Sequence, residues 1–179
     1  MKHIFLPVSF LLVVVFSACR KTPVDPNEGE LITTFKLEFT DNTTGAIQTF
    51  VFRDLDGEGG NGPSTFDDIT LSDGKKYTCK LILLNESVSP VDNVTGEIEA
   101  EGEDHQFYLT ESLLGLNISD LDEDAKGLIL GINSIWTCNS ISSGNVNIVL
   151  KHKPGYKGAN DPITIGDTDI SLDFKVKIQ

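Results

Sequence analysis

Hydrophobic and polar residues alternate with a period of two along most of the chain after its N-terminal region. The clearest case is the segment DISLDFKVKI, whose apolar side chains share one phase, at Ile170, Leu172, Phe174, Val176 and Ile178. Successive side chains of a strand point to opposite faces of a sheet, so this alternation predicts a strand with one buried face.

The same alternation predicts further strands in TTFKLEFT, AIQTFVFR, KKYTCKLILL and NVNIVLKH, with turn-forming clusters such as DNTTG, SDGKK and NSISSG between them. The segment ESLLGLNISDL is the one helical candidate, and Gly115 lies in its middle. Short strands separated by turns predict an all-β fold, an antiparallel immunoglobulin-like β-sandwich in a single domain over residues 31–179.

The N-terminus reads MKHIFLPVSFLLVVVFSAC, with a basic start and an apolar run that is shorter than the roughly 20 residues of a membrane span. Residues 1–18 are therefore expected to be a cleaved signal peptide. The tetrad FSAC resembles the bacterial lipobox, although Phe16 stands where Leu is usual. The resemblance implies that Cys19 becomes a lipid anchor to the membrane. Residues 19–30, rich in proline, glycine and charge, are expected to form the lipidated tether.

The chain carries a formal net charge of −13. Loss of Lys2 with the signal leaves 13 basic against 27 acidic side chains, or −14. Such a balance argues against nucleic acid as a partner, because its binders place Lys and Arg against phosphates. It favours a domain that concentrates cations.

Two cysteines remain besides Cys19. Cys79 and Cys138 are expected either to form a disulfide, in an oxidising compartment, or to be two buried thiols that behave as small apolar residues.

The segment EIEAEGEDHQFY places Glu97, Glu99, Glu101, Glu103 and His105 in one phase. On a strand these side chains would line one face, and the simplest interpretation is a solvated surface. The phase breaks before Phe107, so a bulge or turn near GEDH would bunch Glu103, Asp104 and His105 together.

His105 and His152 are the histidines left after the signal peptide, and His152 ends a core-facing row at the rim of the predicted sandwich. Neutral imidazole and carboxylate suit zinc, iron and copper. Glu103, His105 and His152 are therefore candidate ligands of such an ion.

Two further segments are similar to calcium loops. DLDEDAKG places Asp120, Asp122 and Asp124 at alternating positions, and DLDGEGGNG does the same with Asp54, Asp56 and Glu58. Calcium prefers six to eight oxygen ligands, which alternating acidic residues in a tight loop can provide. Neither segment fits the EF-hand pattern, and ordinary acidic turns are the alternative interpretation.

The sequence contains no nucleophile elbow, HExxH motif, Walker loop or dinucleotide fingerprint, so we expect a non-enzymatic protein. The lipobox, the tether and the acidic all-strand domain together resemble small outer-membrane lipoproteins found beside TonB-dependent receptors. The resemblance implies a lipid-anchored protein of the outer membrane, on its periplasmic side or at the cell surface.

The function expected from these observations is capture of a divalent metal ion or metal complex for an outer-membrane receptor. The alternative is a structural or adhesion-type interaction protein with calcium-stabilised acidic loops. A third hypothesis is haem capture with His105 and His152 as axial ligands.

Overall fold

The computed structural model describes residues 30–57 and 60–179, which contain ten strands and one helix. The signal peptide, Cys19 and most of the tether lie outside the described residues, so they stay predictions. The elements are β1 (Thr34–Asp41), β2 (Ile47–Arg53), β3 (Thr65–Phe66), β4 (Ile69–Leu71), β5 (Lys76–Leu84), α1 (Val94–Ala100), β6 (His105–Glu111), β7 (Leu116–Ser119), β8 (Asn133–Cys138), β9 (Ser142–His152) and β10 (Asp167–Ile178).

The strands form two sheets, one of six strands in the order β3-β2-β1-β5-β8-β7 and one of four in the order β4-β10-β9-β6. The pairing of β4 with β10 is parallel, and the other strand pairs are antiparallel. The all-β class and the two-sheet sandwich expected from the sequence are confirmed. In the described part of the chain, no helix is long and apolar enough to span a bilayer.

The core lies between the two sheets and follows the predicted alternation. From β1, Phe35, Leu37 and Phe39 are fully buried, and the ring of Phe39 packs edge-on against Trp136 at 5.0 Å. In β10, the alternating apolar side chains from Leu172 to Ile178 point inward, as predicted. Each of these large side chains contributes roughly 1.5–3 kcal/mol by leaving water, which is why the alternating phase determines the register.

The acidic row is not a strand, and this prediction was wrong. Val94–Ala100 forms α1, with Val94 and Ile98 buried one turn apart, and Thr95 hydrogen-bonds the backbone of Leu83 in both directions (2.7 and 3.1 Å). In a strand, the inward positions after Ile98 would be Ala100 and Gly102, which offer little apolar surface. The four-residue spacing therefore favours a helix.

The predicted helix around Gly115 is also wrong, because Leu116–Ser119 forms β7. Gly115 has a φ of +136°, and a Cβ there would lie 2.5 Å from the Ser140 carbonyl oxygen. The close approach requires glycine and ends any helix at this point.

Cys79 and Cys138 are both free and buried. Cys79 lies opposite Ser134, whereas Cys138 lies opposite Leu116 on the other side of β8, so the two thiols stand at different levels of neighbouring strands. The structure has the second predicted alternative, two thiols in an apolar core, and burial raises the pKa of Cys138 to about 11.

Candidate metal centre

The two histidines meet at one end of the four-stranded sheet. His105 is the first residue of β6, His152 is the last residue of β9, and the register places them directly opposite each other. Their rings stack with centroids 4.7 Å apart and 11° between the planes. Only 1% of His105 and 7% of His152 is exposed, so both imidazoles are held inside the protein.

The hydrogen bonding of His105 leaves one ring nitrogen free. Its Nδ1 lies 3.1 Å from the backbone carbonyl oxygen of Glu101, an acceptor, so Nδ1 carries the proton and donates it. Nε2 is buried and has no hydrogen-bond partner among the described residues. A backbone carbonyl that fixes the protonated nitrogen, with the other lone pair available, is the arrangement typical of metal-binding histidines.

Burial lowers the pKa of His105, and the neighbouring His152 lowers it further, while the bond to Glu101 acts in the opposite direction. The imidazole is therefore favoured in its neutral form at neutral pH. Neutral imidazole is the form that coordinates metal ions.

Carboxylates crowd around this histidine. Glu97 lies in α1, and Glu101, four residues later, is the C-cap of that helix. Glu30 comes from the segment before β1. Oxygen atoms of Glu30 and Glu101 and a ring nitrogen of His105 all lie within 4.8 Å of one another.

The pKa of Glu30 shows how crowded the negative charge is. Burial raises this pKa from 4.5 to about 7, together with repulsion from Glu97, Asp169 and Glu101 and a hydrogen bond to Glu97. Two carboxyl groups can share a hydrogen bond only when one of them is protonated. A proton or a metal ion at this position therefore relieves the repulsion.

Asp169 reaches the same region through an irregularity of β10. The register with β9 shifts between Thr168 and Ile170, so Asp169 occupies a bulge, a feature that re-aims a side chain. Both carboxylate oxygens are buried and lack a hydrogen-bond partner within the described residues. Burial raises the pKa of Asp169, and His105 and His152 lower it. The carboxylate of Asp169 therefore interacts electrostatically with both imidazoles.

The arrangement offers one imidazole nitrogen and at least two carboxylate oxygens, which suits zinc or ferrous iron. Ligand atoms lie about 3.3 Å apart in a tetrahedral zinc site with bonds of about 2 Å. The spacing here is wider, up to 4.8 Å. Glu101 is exposed and Glu30 is half-buried, whereas His105 is buried and its ring is held by Glu101 and His152.

Glu103 is the predicted ligand that the structure places elsewhere. Its carboxylate forms an exposed ion pair with Lys126 (2.6 Å). Asp104 accepts a hydrogen bond from the backbone of Gly155 (3.2 Å), and His105 points into the protein. A turn does precede β6 as expected, but it spreads these three side chains instead of bunching them.

The acidic loop around Asp122 has internal partners for its carboxylates. Asp122 accepts bonds from the backbone and side chain of Asn133 (2.9 and 2.7 Å). Asp124 accepts two backbone bonds and pairs with Lys157 (2.6 Å). Asp120 accepts a bond from Ser119 (3.0 Å). Over residues 30–57 and 60–179, Asp120, Asp122 and Asp124 are not among the acidic and histidine groups that converge.

In the other acidic loop, Asp56 accepts two bonds from Asn61 (2.9 and 2.8 Å), and Glu58 lies outside the described residues.

The haem hypothesis does not fit the stacked histidines. Axial ligands approach an iron atom from opposite sides, whereas these rings lie face to face.

The sequence reasoning missed Glu30, Glu101 and Asp169 as site residues. Glu30 fell in the predicted tether, Glu101 counted as one of a row on a strand face, and Asp169 belonged to the polar phase of β10. No local pattern marks a residue that a bulge redirects. The four-residue spacing of Glu97 and Glu101 was the available signal for a helical face.

Comparison of the chain with protein-family models, with curated proteins and with solved structures finds no match. The geometry of the site is therefore the basis for assigning a function.

Proposed function

We propose that this protein is a non-enzymatic, lipid-anchored binding protein that captures a divalent transition-metal ion at Glu30, Glu101 and His105. The observation that carries the proposal is His105, a buried imidazole with an unpartnered Nε2 beside carboxylates that repel one another. The expected place is the periplasmic side of the outer membrane, and the expected recipient is an outer-membrane receptor. The lipobox resemblance at Cys19 supports this location.

The distribution of partners favours the metal-capture function over the calcium-stabilised alternative. The carboxylates of Asp122 and Asp124 already have protein donors, and the ammonium of Lys157 already balances the charge of Asp124, so a calcium ion would have less charge to neutralise there. The cluster at His105 has the opposite property, because an ion would supply the missing positive charge. A buried imidazole also selects against calcium, which prefers oxygen ligands.

Calorimetric titration of the purified full chain with zinc, ferrous iron, copper and calcium tests the proposal. We expect one zinc ion per chain, and loss of at least about tenfold in affinity in His105→Ala and in Glu101→Gln, since each removes one ligand. Zinc at a hundredfold excess over its dissociation constant should raise the free energy of unfolding by about 2.7 kcal/mol.

Glu99→Gln is the matched control, because Glu99 is an exposed residue two positions before Glu101. It should bind zinc as the wild type does. Equal zinc affinity in the wild type and both ligand variants, or a response to calcium alone that Asp122→Asn removes, would contradict the proposal and favour the structural alternative.

A further inference from the structure

A groove opens beside the metal centre, at one end of the two sheets. It has a volume of about 530 Å³ and runs between the segment before β1, the end of β2 and the start of β10. A volume of this size accommodates a small molecule. The groove extends beyond the opening of the metal centre, because it reaches Phe52 and Asp54 at the end of β2 in the six-stranded sheet.

Its lining combines negative charge with apolar surface. Glu30, Asp54 and Asp169 contribute carboxylates, and Ile32, Phe52 and Ile170 contribute apolar walls. Asp54 Oδ1 and both oxygens of Asp169 are buried without a hydrogen-bond partner among the described residues. Carboxylate charge that is buried without a donor carries a desolvation cost, which a cation in the adjacent groove lowers by electrostatic attraction.

The charge of the groove selects the sign of its ligand. No lysine or arginine lines its described part, and the ammonium of Lys151 bonds the Thr168 hydroxyl at one end (2.8 Å). Anionic ligands are therefore repelled. A cation over the face of Phe52 would gain further, since the faces of aromatic rings attract cations.

We propose that this groove binds a small organic cation, an ammonium or guanidinium group that pairs with Asp54 and Asp169 while its apolar part packs on Phe52 and Ile170. This function goes beyond the capture of a metal ion. It depends on Asp54 and Phe52, which do not belong to the metal cluster.

The test is calorimetric titration of the metal-free full chain with n-hexylammonium, and with hexan-1-ol and hexanoate of the same chain length. We expect saturable binding of hexylammonium and affinity for hexanol weaker by at least about tenfold, the effect of one charge-assisted hydrogen bond. Hexanoate should not bind. A further titration uses lysine with blocked termini. Binding equal to that of hexylammonium would indicate that the natural ligand is a protein side chain, and weaker binding would indicate a free amine.

Asp54→Asn preserves the shape of the side chain and should weaken hexylammonium by about tenfold, again one charge-assisted bond. Asp173→Asn, an exposed change on the same strand as Asp169, should leave it unchanged. Equal binding of hexylammonium and hexanol, no saturable binding, or an unaltered affinity in Asp54→Asn would overturn the proposal.

The two sites fail separately. His105→Ala should weaken zinc binding by at least about tenfold and preserve hexylammonium binding, whereas Asp54→Asn should weaken hexylammonium binding by about tenfold and preserve zinc binding. If the wild-type protein binds zinc but not hexylammonium, the groove proposal alone is wrong. If it binds hexylammonium but not zinc, the metal-centre proposal alone is wrong.

Discussion

The ring of His105 is held by two neighbours that fix its chemistry. The carbonyl oxygen of Glu101 takes the Nδ1 proton, and the ring of His152 covers one face. The sequence indicated that His105 lies near Glu103 and Asp104 and that His152 ends a core-facing row. It did not indicate that they meet, because that depends on the register between β6 and β9, which lie far apart in the chain.

Glu30 makes the stability of the metal-free protein depend on pH. Its pKa is about 7 in the folded protein and 4.5 ordinarily, so between these values the folded state binds more protons than the unfolded state. Stability from this group is therefore greatest below pH 4.5 and falls as pH rises through 7.

Glu30→Gln should remove this component, because glutamine is neutral throughout. We expect the variant to be more stable than the wild type at pH 8 by up to about 1 kcal/mol after solvent screening, with the difference vanishing near pH 4.5. Urea unfolding of the chelator-treated chain across this range measures the difference. A variant that is less stable than the wild type at pH 8 would show that Glu30 is not crowded by negative charge.

At the scale of the element, alternation was a reliable guide where each apolar position carried a large side chain. In β10 every inward residue from Leu172 to Ile178 is large, so only one register buries them. In the acidic row, Ile98 was the one large apolar residue, and it fits an alternating phase as well as the four-residue spacing from Val94. The small residues at the later alternating positions favour the helix, and contacts with β5, which no local pattern reveals, stabilise it further.

Lys157, in the loop after β9, forms a buried ion pair with Asp124 of the loop between β7 and β8 and a hydrogen bond to Gly102 in the turn after α1. Lys157 contacts the carboxylate of Asp124 and the carbonyl oxygen of Gly102 (2.6 and 2.7 Å), and the side chains of Lys157 and Asp124 are each 1% exposed. Lys157 therefore supports the turn that leads to His105 through its bond to Gly102.

Lys157→Met should destabilise the protein by about 3 kcal/mol, because it leaves the Asp124 charge buried without its partner. Lys126→Met removes the exposed pair with Glu103 and is the control, for which we expect no resolvable change in the midpoint of chemical unfolding. Equal effects of the two substitutions would mean that the Lys157 pair is not buried in solution.

At the scale of the whole molecule, the sandwich brings together side chains that are remote in sequence. The metal cluster takes residues from the segment before β1, from the end of α1 and from β6, with Asp169 of β10 beside them. The sequence indicated the fold class and the excess of acidic residues, both of which depend on composition and period. Which acids converge depends on the packing of the two sheets and on one bulge, and so was not predictable from the chain alone.

Zinc-edge anomalous diffraction from crystals of the zinc-loaded chain locates the bound ion. We expect one strong peak, bonded to His105 Nε2 and to carboxylate oxygens of Glu30 and Glu101, and no peak at Asp122 or Asp124. An ion bound at the Asp122 loop, or no ordered ion at stoichiometric zinc, would show that His105 is not the metal ligand.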